Sequence, residues 1–270
     1  TAAATVKGAA SAINNINLAS ATEKVTYTGS SGNDSIVLAT ADKANVLTLG
    51  NGTNAVTGVS VGDNTITGGT GNDTFNTGTT GDNTISFGGG TNSFIATTGA
   101  NTYTGGSGAD TVTVTSGKNT ITTGGGNDVV TVGGAVNTID VGTGTDSVTI
   151  NALTAAGTLY STITGIGVGD TIKIDTATAA NGTPTFVTAK IADLGSNAVF
   201  SDYLDAASTG DGSTNSVMQW FQTGGNTYIV TDNAAAATFS DGVDSVVELA
   251  GTVTINGFTG AATSATFLLA

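Results

Sequence analysis

The chain has 270 residues, of which 20 are acidic and 6 are basic, and a formal net charge of −14. It contains 41 glycines and one proline, and it lacks both histidine and cysteine. This composition excludes triads built on His, thiol nucleophiles, disulfides and zinc sites with His or Cys ligands. The shortage of basic residues argues against nucleic-acid binding. We therefore expect that the protein is not an enzyme and does not bind nucleic acid.

The composition favours a β-rich repeat protein over a disordered chain. Val, Ile and Thr are abundant, whereas disordered segments contain few β-branched residues. The first residues, TAAATVKGAA, lack a Met and the layout of a signal peptide, so we expect a processed product or a fragment. No apolar run reaches the length of a transmembrane helix. We predict that residues 1–28 form an N-terminal strand or cap segment.

From residue 29 to residue 150, an Asn or Asp recurs two residues before an aliphatic or aromatic residue. From Asn64 onward the steps between successive members are 9, 10, 9, 9, 9, 9, 9, 9 and 9 residues. Each unit combines a Gly-rich turn with a short strand, so two units make one coil of about 18 residues. The pattern predicts an all-β fold, namely a right-handed parallel β-roll or β-helix solenoid, followed by a small β-rich C-terminal capping domain.

Because a coil contains two units, alternate turns lie on opposite edges of the solenoid. One edge, here called the Asp edge, carries Asp34, Asn54, Asp73, Asn92, Asp110, Asp128 and Asp146. The other, here called the Asn edge, carries Asn45, Asn64, Asn83, Asn101, Asn119 and Asn137. Stacked Asn amides both donate to and accept from the neighbouring coils. The Asn edge therefore needs only a structural role.

Such a ladder cannot explain the Asp edge. Coils stack about 4.8 Å apart, and two carboxylates at that distance repel by about 3.5 kcal/mol at an effective dielectric constant of about 20. The turns before the Asp residues are rich in glycine, whose carbonyls can turn inward. A cage of carboxylate and carbonyl oxygens suits Ca²⁺ better than Mg²⁺. The sequence thus predicts calcium along this edge, and a roll that is largely unfolded without metal.

The segment Gly68–Asn76, GGTGNDTFN, follows the nonapeptide pattern GGxGxDxUx. On this motif and its repetition, the chain resembles the RTX (repeats-in-toxin) family of calcium-binding parallel β-rolls over about residues 29–150. In that family each ion lies between successive turns of one edge. It takes the first and third carbonyls and the Asp of one turn, with the second and fourth carbonyls and the Asp of the next.

The resemblance implies specific ligands for this chain. One implied site combines Gly105, Ser107 and Asp110 with Gly124, Gly126 and Asp128. The next implied site combines Thr123, Gly125 and Asp128 with Gly142, Gly144 and Asp146. Further candidate ligands are Gly68, Thr70, Asp73 and Asp34, at sites that Asn92 and Asn54 weaken. The Asn edge departs from the family pattern, and we do not assign ions to it.

The repeat is lost after Ile150, and residues 151–270 are predicted to form the C-terminal cap and secretion module. Gly224-Gly225-Asn226 indicates a hairpin, and a short helix is predicted near Ser201–Ala207 with Ser201 as its N-cap. The pattern resembles modules that follow RTX rolls in serralysin-type proteases and bacterial S-layer (surface-layer) proteins. The last residues, FLLA, resemble the ends of type I secretion substrates, or form a last strand. Asp232, Asp241 and Asp244 could hold another ion, but solvated turns are the preferred interpretation.

Two short motifs carry no predicted activity. The segment GVSVG (Gly58–Gly62) resembles a nucleophile elbow, yet no His exists to act as its base. The segment GIGVG (Gly165–Gly169) lacks the context of a dinucleotide site.

The preferred functional interpretation is the C-terminal part of a secreted S-layer protein, folded and assembled at the bacterial cell surface by extracellular Ca²⁺. Its expected partners are copies of itself, calcium ions, the type I secretion machinery and, through an upstream region, cell-surface polysaccharide. The alternatives are the secretion and folding module of a protease or lipase, and a calcium-stiffened adhesin. An upstream H-E-x-x-H motif would favour the protease, whereas long Thr- and Asn-rich β sequence would favour the lattice.

Overall fold

In a computed structural model, the chain forms two compact units, Thr1–Val130 and Thr131–Ala270. The structure describes residues 4–9, 13–39, 43–59, 61–78, 80–151, 160–175, 184–209, 216–261 and 264–270. The domain boundaries that the sequence suggests, after residues 28 and 150, remain predictions.

The first unit is a parallel β-solenoid of about seven coils, as the nine-residue period predicts. Each coil contributes one strand to each of two sheets. The odd-numbered strands form one sheet: β1 (Ala4–Lys7), β3 (Val25–Ser30), β5 (Val46–Gly50), β7 (Thr65–Gly68), β9 (Thr84–Ser86), β11 (Thr102–Thr104) and β13 (Thr120–Thr122). The even-numbered strands form the other: β2 (Asn14–Asn17), β4 (Asp34–Leu38), β6 (Ala55–Gly58), β8 (Thr74–Thr77), β10 (Ser93–Ala96), β12 (Thr111–Val114) and β14 (Val129–Val132).

The alternation of side chains along each strand explains this architecture. In β11 and β12, Tyr103 and Val112 point inward and are buried, while the Thr residues beside them point outward. Equivalent inward residues stack from coil to coil, as in the registers Phe75 to Phe94 and Phe94 to Val112. The core of this unit is therefore a column of aliphatic and aromatic side chains between the sheets.

The coils are not all of the predicted length. Successive positions of the Asp edge are 20 residues apart in the early coils, then 19, and 18 from Asn92 onward. The average is about 19 rather than 18. The pairing of β5 with β7 has a register irregularity between Thr48 and Gly50, but the inward residues Leu47 and Ile66 remain paired.

The Asn edge forms the expected ladder of hydrogen bonds. The backbone N–H and the side-chain amide of Asn83 both donate to Oδ1 of Asn101, at 3.2 and 2.9 Å, and Asn101 does the same to Asn119, at 3.0 Å for both donors. The amide of Asn83 also donates to the carbonyl of Gly81 at 2.8 Å. The same links join Asn45 to Asn64 and Asn64 to Asn83. One buried side chain thus satisfies buried backbone groups in two coils.

The second unit begins with parallel strands and continues with antiparallel ones. Its first sheet contains β15 (Thr138–Asp140), β17 (Ser161–Thr164), β22 (Ser245–Leu249), β21 (Asn226–Asp232), β20 (Val217–Thr223) and β19 (Thr185–Phe186) in that spatial order. Its second sheet contains β16 (Ser147–Ile150), β18 (Thr171–Asp175), β24 (Ser264–Leu269) and β23 (Ile255–Ala261). The antiparallel partners are β20 with β21, β21 with β22, β18 with β24, and β23 with β24.

The predicted hairpin and helix are both present in this unit. Strands β20 and β21 meet at Gly224-Gly225, and both glycines have positive φ, as a tight two-residue turn requires. The helix α1 (Phe200–Ala207) packs Tyr203 and Leu204 into a core with Phe221 and Tyr228. The predicted N-cap Ser201 was wrong: the helix begins at Phe200, and Asp202 accepts the backbone N–H of Val199 at 2.8 Å.

The Asn ladder yields a stability prediction. Asn101→Ala removes the acceptor for the buried backbone N–H of Asn83, which leaves that group unsatisfied. We expect the free energy of unfolding in Ca²⁺ to fall by about 1–3 kcal/mol, measured by denaturant titration. The matched control is Asn76→Ala, which removes an exposed Asn from the outward face of β8. Equal effects of the two substitutions would contradict the ladder's role.

Candidate metal centre

The Asp edge repeats the backbone part of the Asn ladder. Each Oδ1 atom accepts the backbone N–H of the preceding member of the edge. The links run from Asp34 to Asn54 at 2.9 Å, Asn54 to Asp73 at 3.1 Å, Asp73 to Asn92 at 3.0 Å, Asn92 to Asp110 at 2.9 Å and Asp110 to Asp128 at 2.7 Å. The expectation that a turn ladder cannot explain this edge was therefore only half right, because one oxygen of each Asp has the same structural role as Asn Oδ1.

The two edges differ in the second polar atom at the end of the side chain. This atom is the amide nitrogen Nδ2 in Asn and the carboxylate oxygen Oδ2 in Asp. Where Asn precedes Asp, its amide bridges the coils: Asn54 Nδ2 donates to Asp73 Oδ1 at 2.8 Å, and Asn92 Nδ2 donates to Asp110 Oδ1 at 3.0 Å. Between Asp110 and Asp128 no amide is available, because both residues are carboxylates. The 110–128 step therefore places two buried carboxylates in adjacent coils, and the backbone N–H of Asp110 donates to Oδ1 of Asp128.

Burial shifts the protonation of two of these carboxylates. The pKa of Asp73 is raised because burial desolvates its charged form, while Asn54 and the backbone of Gly69 act in the opposite direction. The pKa of Asp110 is raised chiefly by burial, and the charge of Asp128 adds to the shift. Both raised pKa values mean that the folded chain destabilises the charged form of these carboxylates. A bound cation would remove that cost.

In the turns before Asp34 and Asp110, the first glycine opens a space beside the carboxylate. A Cβ on Gly105 would overlap both Asp110 Oδ2 and the carbonyl oxygen of Thr123, and a Cβ on Gly29 would overlap Asp34 Oδ2 and the carbonyl of Leu49. A carboxylate oxygen and a carbonyl oxygen of the following coil therefore face the same small space. A donor set made only of oxygen atoms fits calcium.

The turn carbonyls point in two directions. A Cβ on Gly124 would overlap the carbonyl of Gly106, and one on Gly126 would overlap that of Gly108, so the second and fourth carbonyls of a turn point to the following turn. The third residues pair as parallel bridges, from Thr70 through Gly89 and Ser107 to Gly125. The carbonyl of Gly125 points back and accepts the N–H of Gly108 at 2.7 Å.

These directions select a different set of facing carbonyls from the implied one. Between the turns of Asp110 and Asp128, the carbonyls that point from one turn toward the other are those of Gly106, Gly108, Thr123 and Gly125. Two of them also accept backbone hydrogen bonds: Gly106 from the N–H of Gly125 at 2.9 Å, and Gly125 from that of Gly108 at 2.7 Å. The resemblance implied Gly105 and Ser107 with Gly124 and Gly126. The structure brings all these residues into the two adjacent turns, and the ligand assignment itself remains a prediction.

The second unit contains a member of the Asp edge that the sequence reasoning missed. Asp170 is buried, and its Oδ1 accepts the backbone N–H of Asp146 at 2.7 Å, as at the earlier steps. Its Oδ2 accepts the N–H of Gly167 at 2.6 Å. The GIGVG segment is therefore a turn of this edge. Asp170 stands two residues before Ile172 and obeys the original rule, but the 24-residue step concealed it.

The other predicted residues of this unit behave differently. Gly142 and Gly144 lie in the turn before Asp146, with positive φ at both. The implied site that joins them to Thr123 and Gly125 spans both units and remains a prediction. Asp244 is buried rather than solvated: it accepts the N–H groups of Asn233, Ala234 and Ser240 at 2.7, 3.0 and 2.7 Å. Within the described ranges, no group of three or more acidic residues is placed to hold a metal.

These features define a class: a parallel β-roll whose Asp edge is lined with oxygen atoms suited to a hard cation. The family comparison makes this specific. Residues 60–94, 77–112, 95–130 and 113–148 match four copies of the RTX calcium-binding nonapeptide repeat. Residues 60–148 therefore carry the calcium-binding repeat of the RTX β-roll family. No curated protein matches the chain.

Two general observations accompany the family assignment. Proteins with RTX repeats are typically secreted. Among the residues that the structure describes, no helix has the length and apolar character of a membrane span.

The two edges are predicted to differ in calcium binding. Asp128→Asn keeps the Oδ1 acceptor but removes one charge from the 110–128 step, so we expect fewer bound calcium ions and a higher stability in EGTA. Asn119→Ala, on the Asn edge, should leave the number of ions unchanged. Isothermal calorimetry and elemental analysis measure both. Equal loss of calcium in the two variants would contradict the one-edged arrangement.

The raised pKa values also predict a pH dependence of the metal-free fold. Asp73 and Asp110 bind protons more tightly when folded than at the unfolded value of 3.8. Their contribution to stability is therefore fully present below that value and is lost as pH rises through the folded pKa. In EGTA, we expect Asp73→Asn to flatten the fall in stability as pH rises above the unfolded value of 3.8. Exposed Asp63→Asn is the control, and an unchanged profile in Asp73→Asn would contradict the assignment.

Proposed function

We propose that the chain is a structural, non-enzymatic part of a bacterial S-layer protein, folded and assembled by extracellular Ca²⁺. The observation that carries the proposal is the stack of buried Asp carboxylates beside inward-facing carbonyls in the RTX segment. Without a cation, the buried carboxylates of such a stack repel one another and destabilise the fold. With a cation bound between the coils, the stack becomes a rigid element. Calcium would supply positive charge between the coils, which the chain itself does not provide.

The proposed calcium ligands follow the directions of the carbonyls. Between the turns of Asp110 and Asp128, they are the two carboxylates with the carbonyls of Gly106, Gly108, Thr123 and Gly125. Asp73 contributes a similar site with a single carboxylate, because Asn92 occupies the next turn. Asp34, between Asn14 and Asn54, has the same arrangement.

The outer face of the odd-numbered sheet supports the assembly part of the proposal. On this face, two columns of hydroxyl-bearing residues run in register across β7, β9, β11 and β13. One column is Thr65, Thr84, Thr102 and Thr120, and the other is Thr67, Ser86, Thr104 and Thr122. The face has no charged side chain in these four strands, and it repeats from coil to coil. A neutral, repetitive surface can contact other copies once the acidic charge elsewhere is neutralised.

Secretion and anchoring complete the proposal. We assign export to the type I secretion machinery, on the likeness of the C-terminal FLLA to its substrates, and anchoring to cell-surface polysaccharide through an upstream region. Residues 264–269 form strand β24, so FLLA packs within the second unit. The rival functions, an enzyme's secretion module and an adhesin, share the calcium-dependent roll and differ in assembly.

Assembly is therefore the property to test. At a net charge of −14, copies of the metal-free chain repel one another at low ionic strength. We expect millimolar Ca²⁺, but not equal Mg²⁺, to produce ordered two-dimensional sheets or oligomers of the full-length protein, seen by electron microscopy and light scattering. The control is Asp128→Asn, which should assemble less readily. A full-length protein that folds in Ca²⁺ yet stays monomeric would contradict the S-layer function and favour the enzyme module.

A further inference from the structure

The Asp positions of the first unit differ in what contacts their second oxygen, Oδ2. Tyr27 donates its hydroxyl to Asp34 Oδ2 at 2.8 Å, and Tyr103 donates to Asp110 Oδ2 at 3.0 Å. Each Tyr lies seven residues before its Asp, on the strand that precedes the turn. Asp73 has Ile66 at that place, and its buried Oδ2 has no hydrogen-bond partner in the described part of the chain.

The core holds the phenol of Tyr103 in this orientation. The ring of Tyr103 is buried, stacks on Phe94 at 5.5 Å with nearly parallel planes, and meets Phe87 edge-on at 6.0 Å. A buried tyrosine hydroxyl requires a polar partner, and the Asp edge is where this one finds it. The pKa values of Tyr27 and Tyr103 are raised by burial and by the adjacent carboxylates, so both hydroxyls keep their protons and remain donors.

Asp34 and Asp73 form a natural comparison. Each is buried and lies between two Asn residues of the same edge: Asn14 and Asn54 for Asp34, and Asn54 and Asn92 for Asp73. Each Oδ1 accepts an Asn amide, at 2.7 and 2.8 Å. What distinguishes the two carboxylates is the tyrosine hydroxyl on Oδ2 of Asp34.

We propose that Tyr27 and Tyr103 act in place of an ion at their Asp residues, so that these coils keep their structure without calcium while the coil of Asp73 depends on it. The inference rests on the proposed calcium-dependent fold and assigns its dependence to particular coils. The hydroxyl supplies a charge-assisted hydrogen bond to Oδ2, and a calcium ion supplies a stronger interaction to the same atom. Tyr27 and Tyr103 are positioning residues, and they make the dependence of structure on calcium differ from one coil of the roll to the next.

The same substitution at the two matched positions tests this inference. In Asp73→Asn, the new amide can complete the Asn ladder towards Asn92, so hydrogen-exchange protection of the peptides around residues 70–76 should rise by about tenfold in EGTA. In Asp34→Asn, the amide replaces an oxygen that accepts a hydrogen bond, from Tyr27 or from Asn14. Protection around residues 25–38 should fall by about tenfold in EGTA. Changes of the same sign in both variants would overturn the proposal.

Tyr103→Phe separates the proposed role from a purely structural one. Removal of the hydroxyl should lower protection around residues 102–114 by about tenfold in EGTA and leave it nearly unchanged in millimolar Ca²⁺, where the ion occupies Oδ2. An equal loss under both conditions, or a wild-type coil already unprotected in EGTA, would overturn the proposal. If calcium changed protection nowhere in the wild-type roll, the proposed function would fail instead.

Discussion

The structure depends on one repeated interaction: a buried Asn or Asp side chain whose Oδ1 accepts the backbone N–H of the equivalent residue in the preceding coil. The interaction links Asn45 through Asn119 on one edge and Asp34 through Asp128 on the other. It satisfies a backbone donor that no strand partner reaches, and it fixes the register of the turns. Because each coil contacts only its neighbours, the stability of the solenoid is close to a sum of such steps.

The two edges then differ chemically at the second polar atom of the side chain, which is Nδ2 in Asn and Oδ2 in Asp. An Asn carries a donor there and closes the step with neutral groups, as Asn101 does with Asn119. An Asp carries a second acceptor, which requires a hydrogen-bond donor such as a hydroxyl or a backbone N–H, a cation or a proton. The chain uses tyrosine hydroxyls at Asp34 and Asp110, whereas no hydroxyl in the described part of the chain contacts the buried Oδ2 of Asp73. Calcium binding and folding are therefore coupled unequally along the roll.

The period predicted the parallel solenoid, its inward residues and the membership of both edges, because nine-residue spacing and burial are local properties of sequence. It did not predict the direction of the turn carbonyls, since Gly106 and Gly125 accept all the φ values that a turn requires. It missed Asp170, because the step that reaches this residue is longer than a coil. Tyr103 obeys the repeat rule, two residues after Asn101, but its contact with Asp110 crosses from a strand to the next turn and has no sequence signature.

The most direct test of this account is residue-resolved hydrogen exchange of the wild-type chain in Ca²⁺ and in EGTA. The account predicts that removal of calcium lowers protection most around Asp73, and least around Asp34, around Asp110 and along the Asn edge from Asn83 to Asn101. A uniform loss of protection over the whole roll, or no loss at all, would contradict the claim that buried charge at particular steps sets the calcium dependence.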